Sequence, residues 1–197
     1  MIKHTPYIIQ YDNVIDDEKL DYYAQFLSES FKGKESDVSR EIGRNNDAYT
    51  LNYYAKSNHE IASISKEIDQ ISFKYLMQYY KDCPLVKLYY GPKNGLYGLN
   101  LFRTYDESDS YEWHCDEGPF MRFIASFLLY LNDDFEGGET MFLNDRLKVK
   151  PKKGSVLMFP CGPYFIHKSS RVKSGNKHVI WNCFRDQFYG NPNLRNK

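Results

Sequence analysis

The chain has 197 residues, no net formal charge, 42% hydrophobic and 26% charged residues. This length fits one compact domain that can bury a core, and the even charge balance excludes a protein whose main task is coating nucleic acid. The longest apolar run, near 123–131, is too short to span a bilayer, and the N-terminus has no apolar leader.

The first predicted element opens near Asp16. In DDEKLDYYAQFLSESF the acids fall in the first helical turn, where the dipole favours them, and Leu20, Tyr23, Phe26 and Leu27 recur at helical spacing. A polar stretch, 36–47, reads as a loop and a candidate lid. A second helix is predicted over 57–82, with Ile61, Ile64, Ile68, Ile71, Tyr75 and Leu76 on one stripe and Pro84 ending it. Beyond Pro84 the pattern turns to strands, predicted over 86–90, 97–105, 112–116, 122–132, 139–143, 146–149, 155–159, 164–172 and 177–184. Turn signals divide them: GPKNG at 91–95, DESDS at 106–110, NDD and EGG within 132–138, PKKG at 151–154 and SGN at 174–176. Helices followed by many short strands imply a mainly β protein with supporting helices (α+β), and the strand count fits a double-stranded β-helix, or jelly roll. No linker divides the chain, so 1–197 reads as one domain, with an N-terminal strand and supporting helices in 1–84 and the jelly-roll core in 85–190.

Between Arg146 and Lys177 nine basic residues occur with no Asp or Glu. Solvated strand edges explain such a run; a positive field around an anionic ligand is the functional alternative. Cys83, Cys115, Cys161 and Cys183 form no CxxC pair, which fits free thiols in a reducing, cytoplasmic setting.

The chemistry concentrates in Tyr111-Glu112-Trp113-His114-Cys115-Asp116. On a strand, residues i and i+2 face the same side, so His114 and Asp116 aim one nitrogen and one carboxylate at a common point. A distant second histidine would complete a facial triad with open positions, a set that suits non-haem Fe(II). His167 lies on a later predicted strand and is the best placed. His4 is terminal, His59 starts a helix, and His178 should face away from its neighbour Lys177.

YEWHCD, then FEGGETMF, then KPKKGSVLMF, then His167 followed by RVKSGNKHV, together resemble the catalytic domain of prolyl 4-hydroxylases, which are Fe(II)- and 2-oxoglutarate-dependent dioxygenases. The resemblance spans roughly 99–184, and YDNVIDDEKLDYY weakly extends it to the N-terminus. It implies that His114, Asp116 and His167 hold iron, and that Lys177, Tyr105 and Thr140 bind the far carboxylate of 2-oxoglutarate. The chemistry agrees, because a buried dianion needs a fixed cation and neutral donors in place of water. The implied cofactors are Fe(II), 2-oxoglutarate and O2, with ascorbate admitted as an accessory. The implied reaction hydroxylates an unactivated C–H bond while 2-oxoglutarate is decarboxylated to succinate.

Two departures fall on the substrate side. The family carries an Arg seven residues before the Tyr that is Tyr130 here; this chain has Phe123 there and Arg122 one earlier. The family's Trp and His, six and eight residues after the Lys, are Cys183 and Arg185. The leading expectation is hydroxylation of prolyl residues in a peptide or protein, with no membrane or nucleic-acid partner. Tyr111 would supply an aromatic face beside the metal. The alternatives are a free amino acid, whose carboxylate Arg122 or Arg185 could meet, and a catalytically silent jelly-roll binding module.

Overall fold

The computed structural model describes residues 1–37, 43–90, 96–116 and 123–186. Part of the predicted lid (38–42), the GPKNG turn (91–95) and Arg122 lie outside the described residues. In chain order the elements are β1 (Ile2–Lys3), β2 (Ile9–Tyr11), α1 (Asp17–Phe31), β3 (Asp47–Thr50), α2 (Leu51–Tyr54), α3 (His59–Asp82) and α4 (Pro84–Tyr90). There follow β4 (Leu96–Tyr105), β5 (Tyr111–His114), β6 (Phe123–Tyr130), β7 (Glu136–Gly137), β8 (Thr140–Phe142), β9 (Leu147–Val149) and β10 (Val156–Pro160). A 3-10 turn (Pro163–Phe165), β11 (His167–Ser169), β12 (Val172–Ser174) and β13 (Lys177–Asp186) complete the chain.

Both long helices begin at side-chain caps. Asp16 accepts the Lys19 N–H at the start of α1, and Asn58 accepts those of Glu60 and Ile61 at the start of α3. Each such cap contributes about 1 kcal/mol by satisfying donors that the first turn cannot. Their buried stripes, Leu20, Tyr23 and Leu27 on α1 and Ile61, Ile64 and Ile68 on α3, follow the predicted spacing.

The predicted strand at 86–90 is instead helix α4. Pro84 does not merely stop α3; it opens α4, where a missing N–H costs nothing and the fixed φ suits the first turn. The predicted strand 164–172 is likewise divided. A 3-10 turn takes its start, and beyond β11 the chain leaves its partners so that β12 can pair with β7.

Seven strands form a major sheet in the order β1-β2-β10-β6-β13-β4-β3, and four form a minor sheet in the order β5-β11-β8-β9. The alternation of side chains along the major sheet builds two cores. Phe102, Phe127, Leu129, Val156, Met158 and Ile180 point to the helices. Leu101, Leu128, Tyr130, Leu157, Phe159 and Val179 point to the minor sheet. β6 is therefore buried along its whole length, which explains an apolar run interrupted only by Ser126. Full burial of each such large side chain contributes about 1.5–3 kcal/mol. The functional residues lie in the second layer, between the two sheets. The DESDS turn is tied down beside it: Ser108 N–H donates to the Val172 carbonyl at 2.9 Å, and Asn176 Nδ2 to Asp106 at 2.6 Å. Among the described residues no helix is long and apolar enough to cross a membrane.

Candidate active site

β5 and β11 run antiparallel with His114 and His167 as direct partners, so both imidazoles leave the same face of the minor sheet. The strand ends at His114, and Asp116 stands two residues on, in a bend rather than on the predicted strand. Its carboxylate still reaches the same point: Oδ1 lies 3.6 Å from His114 Nε2, and Oδ2 lies 3.7 Å from His167 Nε2. One donor atom from each of the three residues falls within 4.8 Å of the others.

The outer contacts of these residues fix their chemistry. His114 Nδ1 is 2.7 Å from the Glu112 carbonyl, and His167 Nδ1 is 3.0 Å from the Phe165 carbonyl. A carbonyl only accepts, so each Nδ1 carries the proton and each Nε2 presents a lone pair. Burial, and then the neighbouring His167, push His114 down to about 3 and keep it neutral. Burial alone would raise Asp116, but His167, His114 and the hydrogen bond from Ser126 hold it below the usual carboxylate range. Its Oδ2 accepts from the Ser126 hydroxyl and from Trp181 Nε1, the latter at 3.3 Å. Two imidazole nitrogens and one carboxylate oxygen, each oriented from behind, fit a divalent iron.

On the major sheet, β13 pairs with β4 so that Lys177 is opposite Tyr105. Lys177 is only 2% exposed, and its Nζ donates to the Gly138 carbonyl at 2.7 Å and to Ser169 Oγ at 2.8 Å. The ammonium also lies 4.7 Å from the centre of the Tyr105 ring and 5.9 Å from that of Tyr130. Burial, and then the charge of Arg103, lower its pKa from 10.5 to about 7. Gly138 makes this approach possible. Its φ is +65°, and a Cβ there would lie 3.0 Å from Lys177 Cδ. Thr140 is buried beside them, with its hydroxyl 2.7 Å from that of Tyr130.

One narrow cavity joins the two groups, with His114, Asp116 and His167 at one end and Tyr105, Thr140 and Lys177 at the other. Tyr111 also lines it and stacks on His114, with centroids 3.6 Å apart and planes 17° apart. Arg185 stands opposite Tyr97 in the β13–β4 ladder, but its side chain, like Arg122, lies outside the described residues. Phe123 is buried and packs edge-on against Trp181 at 6.2 Å. Sequence reasoning missed four residues here: Arg103, Ser126, Trp181 and, as a member of the pocket, Tyr130. The strand period carried a signal for two of them. Arg103 shares a face with Tyr105, and Trp181 shares one with Lys177.

The model of the 2OG-Fe(II) oxygenase superfamily matches residues 100–185, the stretch that contains both ends of this cavity. Over these residues the chain is similar to that superfamily, and within it to prolyl 4-hydroxylases. The chain is 36% identical over 125 residues to "Probable prolyl 4-hydroxylase 9" of Arabidopsis thaliana, covering 49% of this chain and 43% of that one. The chain spans between 30% and 46% of the length of the curated relatives it matches. The viral collagen prolyl hydroxylase of Paramecium bursaria Chlorella virus-1, solved with 2-oxoglutarate, superposes with a TM-score of 0.67 at 20% identity, covering 91% of this chain and 96% of that one. A Trichoplax adhaerens prolyl hydroxylase, in complex with a hypoxia inducible factor peptide fragment, gives 0.69 at 14% identity over 94% and 86%. These likenesses show that the oxygenase domain has the jelly-roll fold anticipated from its strand count.

Proposed function

We propose that this protein is an Fe(II)- and 2-oxoglutarate-dependent hydroxylase of the prolyl 4-hydroxylase type, acting on proline in a peptide or protein. The observation that carries this reading is the single cavity with an N,N,O donor set at one end and a buried lysine at the other. His114, Asp116 and His167 would hold the iron. Lys177 would meet the far carboxylate of 2-oxoglutarate, with the hydroxyls of Tyr105 and Thr140 as neutral donors. Iron bound there would supply the chemistry that converts 2-oxoglutarate and O2 to succinate and CO2 while a C–H bond becomes C–OH.

The chain's own part is positioning and exclusion of water. The Glu112 and Phe165 carbonyls set the tautomers of the two histidines, and Ser126 and Trp181 hold the aspartate. Lys177 keeps two donors on protein oxygens, so an incoming carboxylate meets a fixed ammonium rather than a flexible arm. Tyr111, stacked on His114, offers a face for a proline ring at the metal end. A peptide substrate has support from the peptide-bound Trichoplax relative, and a free amino acid is the rival within the same chemistry.

The reading treats 1–197 as one catalytic domain, supported by the pairing of β1, β2 and β3 into the same sheet as the core strands. The lack of a disulfide among Cys83, Cys115, Cys161 and Cys183 supports a reducing, cytoplasmic setting. The test is consumption of 2-oxoglutarate with Fe(II) and O2, followed by mass spectrometry of proline peptides for one added oxygen. Iron-independent behaviour, or no consumption at all, counts against the proposal.

A further inference from the structure

Arg103 has no part in the function proposed above, yet it stands inside the cavity. β4 carries it two residues before Tyr105 and opposite Val179, one step along the ladder from Lys177. It is 7% exposed, and its Nε has no hydrogen-bond partner. Its guanidinium carbon lies 5.1 Å from the centre of the Trp181 ring and 5.3 Å from that of Tyr111. These ring contacts, together with a hydrogen-bonding interaction with Tyr105, fix the guanidinium in place and leave further N–H groups available. A buried arginine ordinarily has a carboxylate partner. Among the described residues none forms an ion pair with Arg103. The acid of the cavity, Asp116, is already occupied by Ser126, Trp181 and the two histidines.

The charges of the proposed complex point the same way. A divalent iron and Lys177 together balance Asp116 and the 2-oxoglutarate dianion. Arg103 is the cation left over, and it lies against Tyr111, whose ring stacks on the ligand His114. We infer that Arg103 determines specificity by binding a free carboxylate on the very residue that is hydroxylated. That carboxylate belongs either to a free amino acid or to the C-terminal residue of a peptide, and the site selects against a residue inside a chain. The inference rests on the proposed oxygenase function and replaces an internal prolyl residue, as its substrate, with a residue that carries a free carboxylate.

Binding, rather than turnover, is the direct test. The wild-type protein is loaded with Mn(II) in place of iron and with saturating 2-oxoglutarate, and probes are titrated by calorimetry. The probes are L-proline against L-prolinamide, and glycylglycyl-L-proline against its C-terminal amide. The expected result is at least tenfold tighter binding of the acid in one pair, and which pair responds distinguishes a free amino acid from a peptide end. Arg103→Gln should abolish the preference, and Arg103→Lys should keep part of it, while both variants still bind 2-oxoglutarate. Equal binding of acid and amide by the wild type, or no binding of either acid, overturns the inference. So does an Arg103→Gln protein that loses 2-oxoglutarate affinity while keeping the acid preference. Failure of the underlying function is a separate result: the wild type would then not bind 2-oxoglutarate with Mn(II) at all.

Discussion

Burial and Arg103 hold Lys177 at a pKa of about 7, which gives 2-oxoglutarate binding a pH dependence of definite sign. A carboxylate binds the ammonium form and raises its pKa. Below about 7 the amine is already charged, so binding needs no proton from solution. Above about 7 the free protein is neutral at Lys177, and each binding event takes up one proton. Affinity should therefore fall as pH rises, by about tenfold per unit, until the pKa of the bound state is reached. From pH 7, where the amine is already half neutral, to pH 9 that is about fiftyfold, or ~2.3 kcal/mol. The same depression costs the free protein stability, in full below about 7, so its stability should rise with pH between about 7 and 10.5, where the unfolded chain carries one more proton. Calorimetry in two buffers of different ionisation enthalpy measures both the Kd and the proton uptake. Lys177→Ala should remove the slope and cost about 2–5 kcal/mol of 2-oxoglutarate binding near pH 7, with metal affinity nearly unchanged. A wild-type Kd that is flat from pH 7 to 9 with no proton uptake would refute the reasoning, as would wild-type affinity in Lys177→Ala.

Ser126→Ala removes a donor to Asp116 and should weaken metal binding about 10–100-fold while the fold survives, as measured by Mn(II) titration and circular dichroism. Tyr105→Phe and Thr140→Val should each cost roughly 0.5–1.5 kcal/mol of 2-oxoglutarate affinity, read by the same calorimetry; no change in either would remove these hydroxyls from the carboxylate site. Gly138→Ala places a Cβ against the Lys177 stem at a positive φ, so it should lower both thermal stability and 2-oxoglutarate affinity; an unchanged Tm would show that the stem can yield.

The legible parts of this sequence were those that depend on local period or on an ordered motif. Asp16 with the Leu20–Tyr23–Leu27 stripe marks a helix because cap and spacing agree. His114 and His167 were found 53 residues apart in the chain, and the structure makes them ladder partners. The segment 86–90 misled because VKLYY is β-favouring in composition, whereas Pro84 at the first turn and packing of Val86 into the helical core decide for helix. Arg103 was overlooked for a different reason. A basic residue within a strand reads as solvent-facing by default, although its i, i+2 spacing from Tyr105 already put it on the cavity side, and the pairing of Tyr105 with Lys177 fixes that face inward. Ser126 falls in a wholly buried run, where alternation gives no sign of which face it occupies.

The most direct measurement on the central claim is succinate formation from 2-oxoglutarate, with and without Fe(II), by the wild type and by Asp116→Ala and His167→Ala. The proposed site predicts iron-dependent turnover in the wild type, none in either variant and sharply weakened metal binding in both. Succinate formation at the wild-type rate by a folded Asp116→Ala or His167→Ala protein would contradict it.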